Sequence, residues 1–415
     1  MVRKIVIIML SVMVILVSCT KIDVDYDYDT TIKLQVNTEG STKGTVTTTD
    51  VLKASGAFSM MAYLSDKYVK RLDPSNPKSP FDRGDGTAVG TGEEPFKFGD
   101  DDGKYFDDDA ENGNVTLSKD GWTISDNPKW VSGVDTYFWA WHPVTIPDNR
   151  RVISDPEDDE TTVFPEDPKD PDSPRSPKTG KLSFSYTTPT PDGAKDADRA
   201  EDLLFAYSKK RFVEKKGLTD SDKTINITFH HALSQVRFCV STDDGTFDES
   251  LKIKSISISN LATSGNASFT DSGNAENNQY AYDTSHGSYD KFVWTGQAGT
   301  ATFGQTYNAD FSTSTVSGWT KGSYTKDTHT YNLYTCENVF FMIPQTVTSS
   351  NKITVVFDYE GEDITKTIDI ADSTGNIWLG DYYYTYKIKA TTLGRDIDFS
   401  VSLVGWSNRK EEIFI

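Results

Sequence analysis

The sixteen residues from Ile225 to Val240, Ile-Asn-Ile-Thr-Phe-His-His-Ala-Leu-Ser-Gln-Val-Arg-Phe-Cys-Val, constrain the fold more than any other part of this chain. Ile225, Ile227 and Phe229 at its start, and Val236, Phe238 and Val240 at its end, recur at every second position. That is the period of a strand with a buried face. The run is nearly unbroken and long for one strand, so it is expected to carry the chain from one β-domain into the next, with the boundary near residue 230.

The same period recurs elsewhere. Thr31–Asn37 places Ile32, Leu34 and Val36 on one face, and further strand patterns stand at Phe58–Leu64, Val115–Leu117, Gly121–Ile124, Leu182–Tyr186 and Leu203–Tyr207. The aromatic run Tyr137–His142 stops at Pro143, which cannot donate to a ladder. Beyond the long run come Leu251–Leu261, Val339–Ile343, Ile353–Tyr359, Thr365–Ile370, Tyr382–Ala390 and Ile397–Leu403. No segment keeps a 3.6-residue period, and an aromatic content of 12% favours strands. The fold class is therefore all-β, and 415 residues suit two domains. Leu72–Asn114 reads as an exposed excursion, the Pro-rich acidic stretch 148–178 as an exposed insertion, and 264–330 as loops with short strands.

A net charge of −20 excludes nucleic acid as a partner and docking on anionic lipid, because both need Lys and Arg patches. No catalytic constellation is present: no His-Glu-x-x-His, nucleophile elbow or phosphate loop. His230 and His231 are neighbours on a strand pattern and point to opposite faces, so they cannot hold one ion. In Gly84–Gly90 the third glycine comes one residue too late for a dinucleotide fingerprint, and neither strand nor helix flanks it. The acidic run Gly99–Gly113 offers oxygens that could suit calcium, but Ala110 and Lys119 occupy ligand positions of an EF-hand template, and a solvated loop is the better reading. The chain is expected to be no enzyme, with no metal site and no cofactor.

At the start, Arg3 and Lys4 precede the apolar run Ile5–Val17, followed by Ser18 and Cys19. A helix over that run would rise about 20 Å against roughly 30 Å of hydrocarbon core, which makes 1–18 a signal peptide rather than a membrane span. Leu16-Val17-Ser18-Cys19 resembles the bacterial lipobox, which implies lipidation of Cys19. Residues 19–30 form an acidic tether in which every second residue from Asp23 to Asp29 is aspartate. Like charges keep such a tether solvated and extended, and it resembles the signal that sends lipoproteins of Bacteroides-type bacteria to the outer face of the outer membrane. Cys239 and Cys336 remain, either as a disulfide or as separate core residues.

Several segments together resemble the fimbrillin family, the subunits of type V pili. They are the lipobox at Cys19; Ile32–Val36 followed by Ser41-Thr42-Lys43-Gly44; Asp202–Ala206; Thr228–Phe238; Phe341–Gln345; Tyr382–Ile388; and Phe399–Trp406. The resemblance implies two transthyretin-like β-sandwich domains in tandem, 31–229 and 230–415, and a structural subunit of a surface fimbria serving adhesion. It also implies an outer-membrane lipoprotein precursor that becomes part of the fimbrium after a trypsin-like protease cuts at Lys43, which otherwise reads as a surface lysine in a loop. The cut removes the first strand with Ile32, Leu34 and Val36, and a strand of another pilus subunit fills the vacancy by donor-strand exchange. Ile397, Phe399, Val401 and Leu403, with Trp406 as a further anchor, alternate correctly for such a donor. The same alternation suits an ordinary C-terminal strand in its own sheet. The alternative function is an outer-membrane glycan-binding lipoprotein, with Trp122, Trp130, Trp139, Trp141, Trp294 and Trp319 as sugar-stacking platforms.

Overall fold

The structure is a computed structural model that describes residues 30–38, 49–64, 104–106, 114–146 (except 126 and 131–134), 150–154, 182–189 and 201–414 (except 214, 216, 270–281, 284–287, 290–291, 314, 327, 338, 371–376, 381, 394–395 and 408–412). The protein is nearly all β and sandwich-like. Cys19, Lys43, the tether 19–29, the glycine run 84–90 and most of the acidic stretches 99–113 and 148–178 lie outside the described residues.

The N-terminal sheet runs in spatial order Lys33–Thr38, Thr224–His231, Leu204–Arg211, Asp135–His142, Ala57–Leu64, Val115–Ser118 and Gly121–Ile124, with Lys104–Phe106 also paired to Ala57–Leu64. Both of its faces are buried. Phe58, Met60, Phe138, Ala140, Leu204, Ile227 and Phe229 fill one core, while Met61, Tyr63, Trp139, Trp141 and Phe205 point into another. Phe138–Trp141 is therefore apolar without interruption, because a strand covered on both sides has no solvent face to serve.

The second face packs on a four-stranded sheet ordered Phe292–Ala298, Ser264–Phe269, Leu182–Thr187 and Arg151–Ile153. Phe184 of this sheet stacks on Phe205 with ring centroids 4.1 Å apart. Two of its strands precede residue 230 and two follow it, so the sheet joins the halves of the chain.

The largest core lies between two further sheets. One is ordered Trp319–Lys326, His329–Cys336, Ser234–Val240, Tyr383–Leu393, Asp396–Ser407 and Ile413–Phe414, with Phe340–Met342 also on Ser234–Val240; the other Ala301–Asp310, Lys252–Leu261, Lys352–Tyr359 and Glu362–Asp369. Val236, Phe238, Ile253, Ile256, Val355, Phe357 and Ile388 meet there.

The long run breaks at Ala232–Leu233 into Thr224–His231 and Ser234–Val240, one strand in each large sheet. The break is held from several sides. The Ala232 N–H donates to the Leu203 carbonyl (2.8 Å), the Ala232 carbonyl accepts from the Trp294 indole (3.0 Å), and the Ser234 hydroxyl donates to the Leu379 carbonyl (2.9 Å).

The reading of residues 264–330 is corrected, and two short helices add to the strand pattern without contradicting it. Short helices occur at Thr49–Ser55 and Asp220–Lys223, too brief to show a period; the second is set by a capping box between Thr219 and Asp222. The region 264–330 holds long strands, among them Ala301–Asp310. There Phe303, Tyr307 and Ala309 are buried, and an alternation spread among Gly, Thr and Asn had read as loop.

Candidate functional site: the first strand and the seam it closes

The first strand stands at the edge of the N-terminal sheet and pairs in parallel with Thr224–His231, in register from Lys33 opposite Thr224 to Thr38 opposite Phe229. Ile32 and Val36 are buried in the core and Leu34 packs against it, so all three side chains point inward. Just upstream, the chain pairs on its other side: the Ile32 N–H donates to the Pro128 carbonyl (3.0 Å) and the Trp130 N–H to the Thr30 carbonyl (2.9 Å), with Thr31 bridged to Lys129. Residues 30–38 thus join the two ends of the sheet and close its seam. Trp130 crosses the same seam, its indole donating to the Lys223 carbonyl (2.7 Å). Nothing in the sequence singles out Pro128, Trp130 and Lys223 for this work.

Asp396–Ser407 pairs antiparallel with Tyr383–Leu393 along its length, with a bulge opposite Thr385 and Tyr386. Ile397 is buried in the largest core, and Phe399 and Val401 pack against it, Phe399 edge-on to Phe357 at 5.7 Å. These side chains occupy their own sheet in the isolated chain. Among the described residues, Asp396–Val404 has a neighbour on one edge only, since Ile413–Phe414 meets Gly405 and Trp406 alone. The side chains of Leu403 and Trp406 lie outside the described residues.

The cysteine alternatives resolve. Cys239 lies opposite Thr335 on the neighbouring strand, whereas Cys336 points into the core with Val236 and Phe238 and accepts from the Phe238 N–H at 3.0 Å. The sheet separates the two thiols, so they do not pair with each other, and both are buried. Burial pushes Cys239 up to about 12 and Cys336 up to about 11. Behind the same sheet, Lys387 and Asp244 form an ion pair joined by the Tyr324 hydroxyl, which donates to Asp244 at 2.5 Å.

The six tryptophans considered for sugar stacking pack against the cores. Trp130, Trp139, Trp141 and Trp319 are buried, and Trp122 and Trp294 are partly buried against core clusters.

The fold and this site define an all-β, sandwich-type protein whose first strand is an inward-facing edge strand. A family model described as Fimbrillin-like matches residues 83–406, and the chain belongs to the fimbrillin-like family. It is a structural, non-enzymatic protein. No curated protein matches the sequence. Among solved structures, a fimbrial protein from Bacteroides vulgatus is similar at 14% identity and a TM-score of 0.42, covering 90% of this chain and 99% of its own. The fimbrial anchor protein Mfa2 from Porphyromonas gingivalis is similar at 11% identity and a TM-score of 0.26, covering 92% and 98%.

Proposed function

We propose that this protein is a surface fimbrial subunit that polymerises by exchanging its first strand for a strand of another subunit. The observation that carries the reading is the first strand itself: a single edge strand, with Ile32, Leu34 and Val36 inserted in the core, completes the seam. Removing it leaves an unpaired edge along Thr224–His231 and three vacant apolar positions, which a foreign strand can refill. Three burials at roughly 1.5–3 kcal/mol each, plus ladder bonds near 1 kcal/mol net, give a gross gain on the order of 10 kcal/mol before ordering costs.

In this reading Cys19 carries lipid and tethers the precursor to the outer membrane, and a trypsin-like protease cuts after Lys43, freeing the first strand and the tether together. The donor is Asp396–Ser407, with Ile397, Phe399, Val401, Leu403 and Trp406 facing the vacated positions. Donation requires that strand to leave Tyr383–Leu393, and its one-sided pairing over Asp396–Val404 makes it the less costly of the two long C-terminal strands to detach. The domains are 31–229 and 230–415, docked through the shared four-stranded sheet.

The test adds a trypsin-like protease to the purified precursor and follows size on a non-boiled gel. A ladder of multimers that disappears in Lys43→Gln is the expected result. Clean trimming to monomer would overturn the reading.

A further inference from the structure

The seam that the first strand closes has two rims, Pro128–Trp130 on one side and Lys223–Thr224 on the other. Residues 30–33 lie between them: the Ile32 N–H and the Thr30 carbonyl bond to the first rim, and Lys33 stands opposite Thr224 on the second. The Trp130 indole passes from rim to rim and donates to the Lys223 carbonyl at 2.7 Å, a bond buried in the core. A strand sits about 4.8 Å from each neighbour, so the rims stand about 10 Å apart. Bridging that gap takes a large side chain that carries a donor.

The contacts that orient this indole come from parts of the chain that stay when the first strand leaves. Phe212 stacks on it with centroids 5.6 Å apart and planes at 13°, Phe138 meets it edge-on at 5.7 Å, and Lys210 Nζ stands 5.4 Å from the ring centroid. The same ammonium donates to the carbonyls of Thr224 (2.6 Å) and Ser221 (3.3 Å), so the segment that receives the indole is held on both sides of Lys223. Loss of the first strand takes away the partners of the Pro128 carbonyl and the Trp130 backbone N–H. It takes away no partner of the indole N–H.

We propose that Trp130 is a spacer that holds the two rims of the seam one strand-width apart while the groove is empty, so that the acceptor stays open for an incoming strand. The groove opens onto the core of Ile225, Ile227 and Phe229, and apolar walls facing water lower their free energy by closing on each other. A closed groove must reopen before a strand can enter, which slows entry in proportion to the fraction of chains left open. A filled groove is held by the strand itself. Trp130 is thus a positioning residue whose use in assembly rests on the strand-exchange reading above; the tie across the seam does not.

Native-state hydrogen exchange on the full, uncut chain tests the tie. The first-strand amides that pair with Thr224–His231 should exchange through a local opening that leaves the indole bond made, so the Trp130 indole N–H should have a protection factor about tenfold or more above theirs. Equal protection would show that indole and strand let go together and would overturn the tie. Trp130→Phe keeps a ring against Phe212, removes the donor and tests the role. After the cut at Lys43, its multimers should form about fivefold more slowly than wild type, the factor that corresponds to one hydrogen bond of about 1 kcal/mol. Once formed, they should dissociate on dilution at the wild-type rate, and the cut itself, followed on a denaturing gel, should also keep its wild-type rate. Unchanged formation, or dissociation quickened as much as formation is slowed, would overturn the role, because the indole would then serve only the filled sheet. Wild-type chains that show the protection gap and are cut but never assemble would sink the pilus reading alone, and equal protection with assembly intact would sink the tie alone.

Discussion

His231 Nδ1 and Asp202 Oδ1 lie 2.5 Å apart with both side chains buried. The pair joins two segments that also meet through the backbone, where the Ala232 N–H donates to the Leu203 carbonyl. It therefore pins the turning point at which the chain leaves one sheet for the next. Asp202→Asn keeps an acceptor for the imidazole N–H and should cost about 1 kcal/mol. Asp202→Ala removes it and should cost about 2–4 kcal/mol. Urea midpoints of the two variants, read against wild type, check the order; equal losses would reduce the pair to packing.

The Lys387–Asp244 pair sets a pH window. Burial alone would raise Asp244, but hydrogen bonds from Lys387, Thr246 and Tyr324 outweigh it and hold the carboxyl below its ordinary range. Burial alone would lower Lys387, and its bonds to Asp244 and Tyr324 outweigh that and raise it. A depressed carboxylate stabilises the fold above about pH 4 and loses that contribution as pH falls through the folded value; a raised lysine stabilises below about pH 10 and loses it as pH rises further. Lys387→Met leaves Asp244 buried without its cation and should cost about 3 kcal/mol at neutral pH. In acid, below about pH 3, the gap between variant and wild type should shrink. Urea titrations across that range measure it, and a gap independent of pH would show that the lost side-chain packing, not the charge, matters.

The strands were legible wherever one face is buried, as in Thr31–Asn37, because alternation is then imposed by the core. Ile225–Val240 showed its strands and its crossing, yet its break is fixed by Leu203, Trp294, Leu379 and Gly380, residues distant in sequence that no local pattern connects to it. Likewise Ile32, Leu34 and Val36 announced a buried face, but the seam depends on carbonyls of Pro128 and Lys223, and a backbone carbonyl carries no sequence signal. The short helices escaped notice because one or two turns cannot display a period.

The separation of Cys239 from Cys336 makes a chemical prediction. A buried thiol whose titration is pushed up holds little thiolate at neutral pH and reacts slowly. Native protein treated with an aromatic disulfide reagent should show both residues unmodified by peptide mapping, and both modified in denaturant without a reductant. A mapped Cys239–Cys336 disulfide, or rapid native labelling of either residue, would contradict the arrangement.

Gly380 lies against the break in the crossing run so closely that a Cβ there would come 2.7 Å from the Ala232 carbonyl oxygen and 3.3 Å from its carbon. The obstructing atoms are backbone, and that carbonyl is already fixed by the Trp294 indole while the neighbouring Ala232 N–H is bound to Leu203. The strain therefore cannot be relieved by a rotamer change; relief must break a bond or move a strand. Gly380→Ala should cost about 1–3 kcal/mol, in the range of overpacked cores, and the loss should be smaller in a Trp294→Phe background, where the Ala232 carbonyl is freer to shift. Gly361 offers the contrast: it has φ +84° but nothing within 4 Å of an added Cβ, so Gly361→Ala should cost only the backbone strain of about 1 kcal/mol and be indifferent to Trp294. A double-mutant cycle on thermal midpoints separates the cases, because coupling to Trp294 at position 380 and none at position 361 is expected only if close approach of two backbones fixes the crossing.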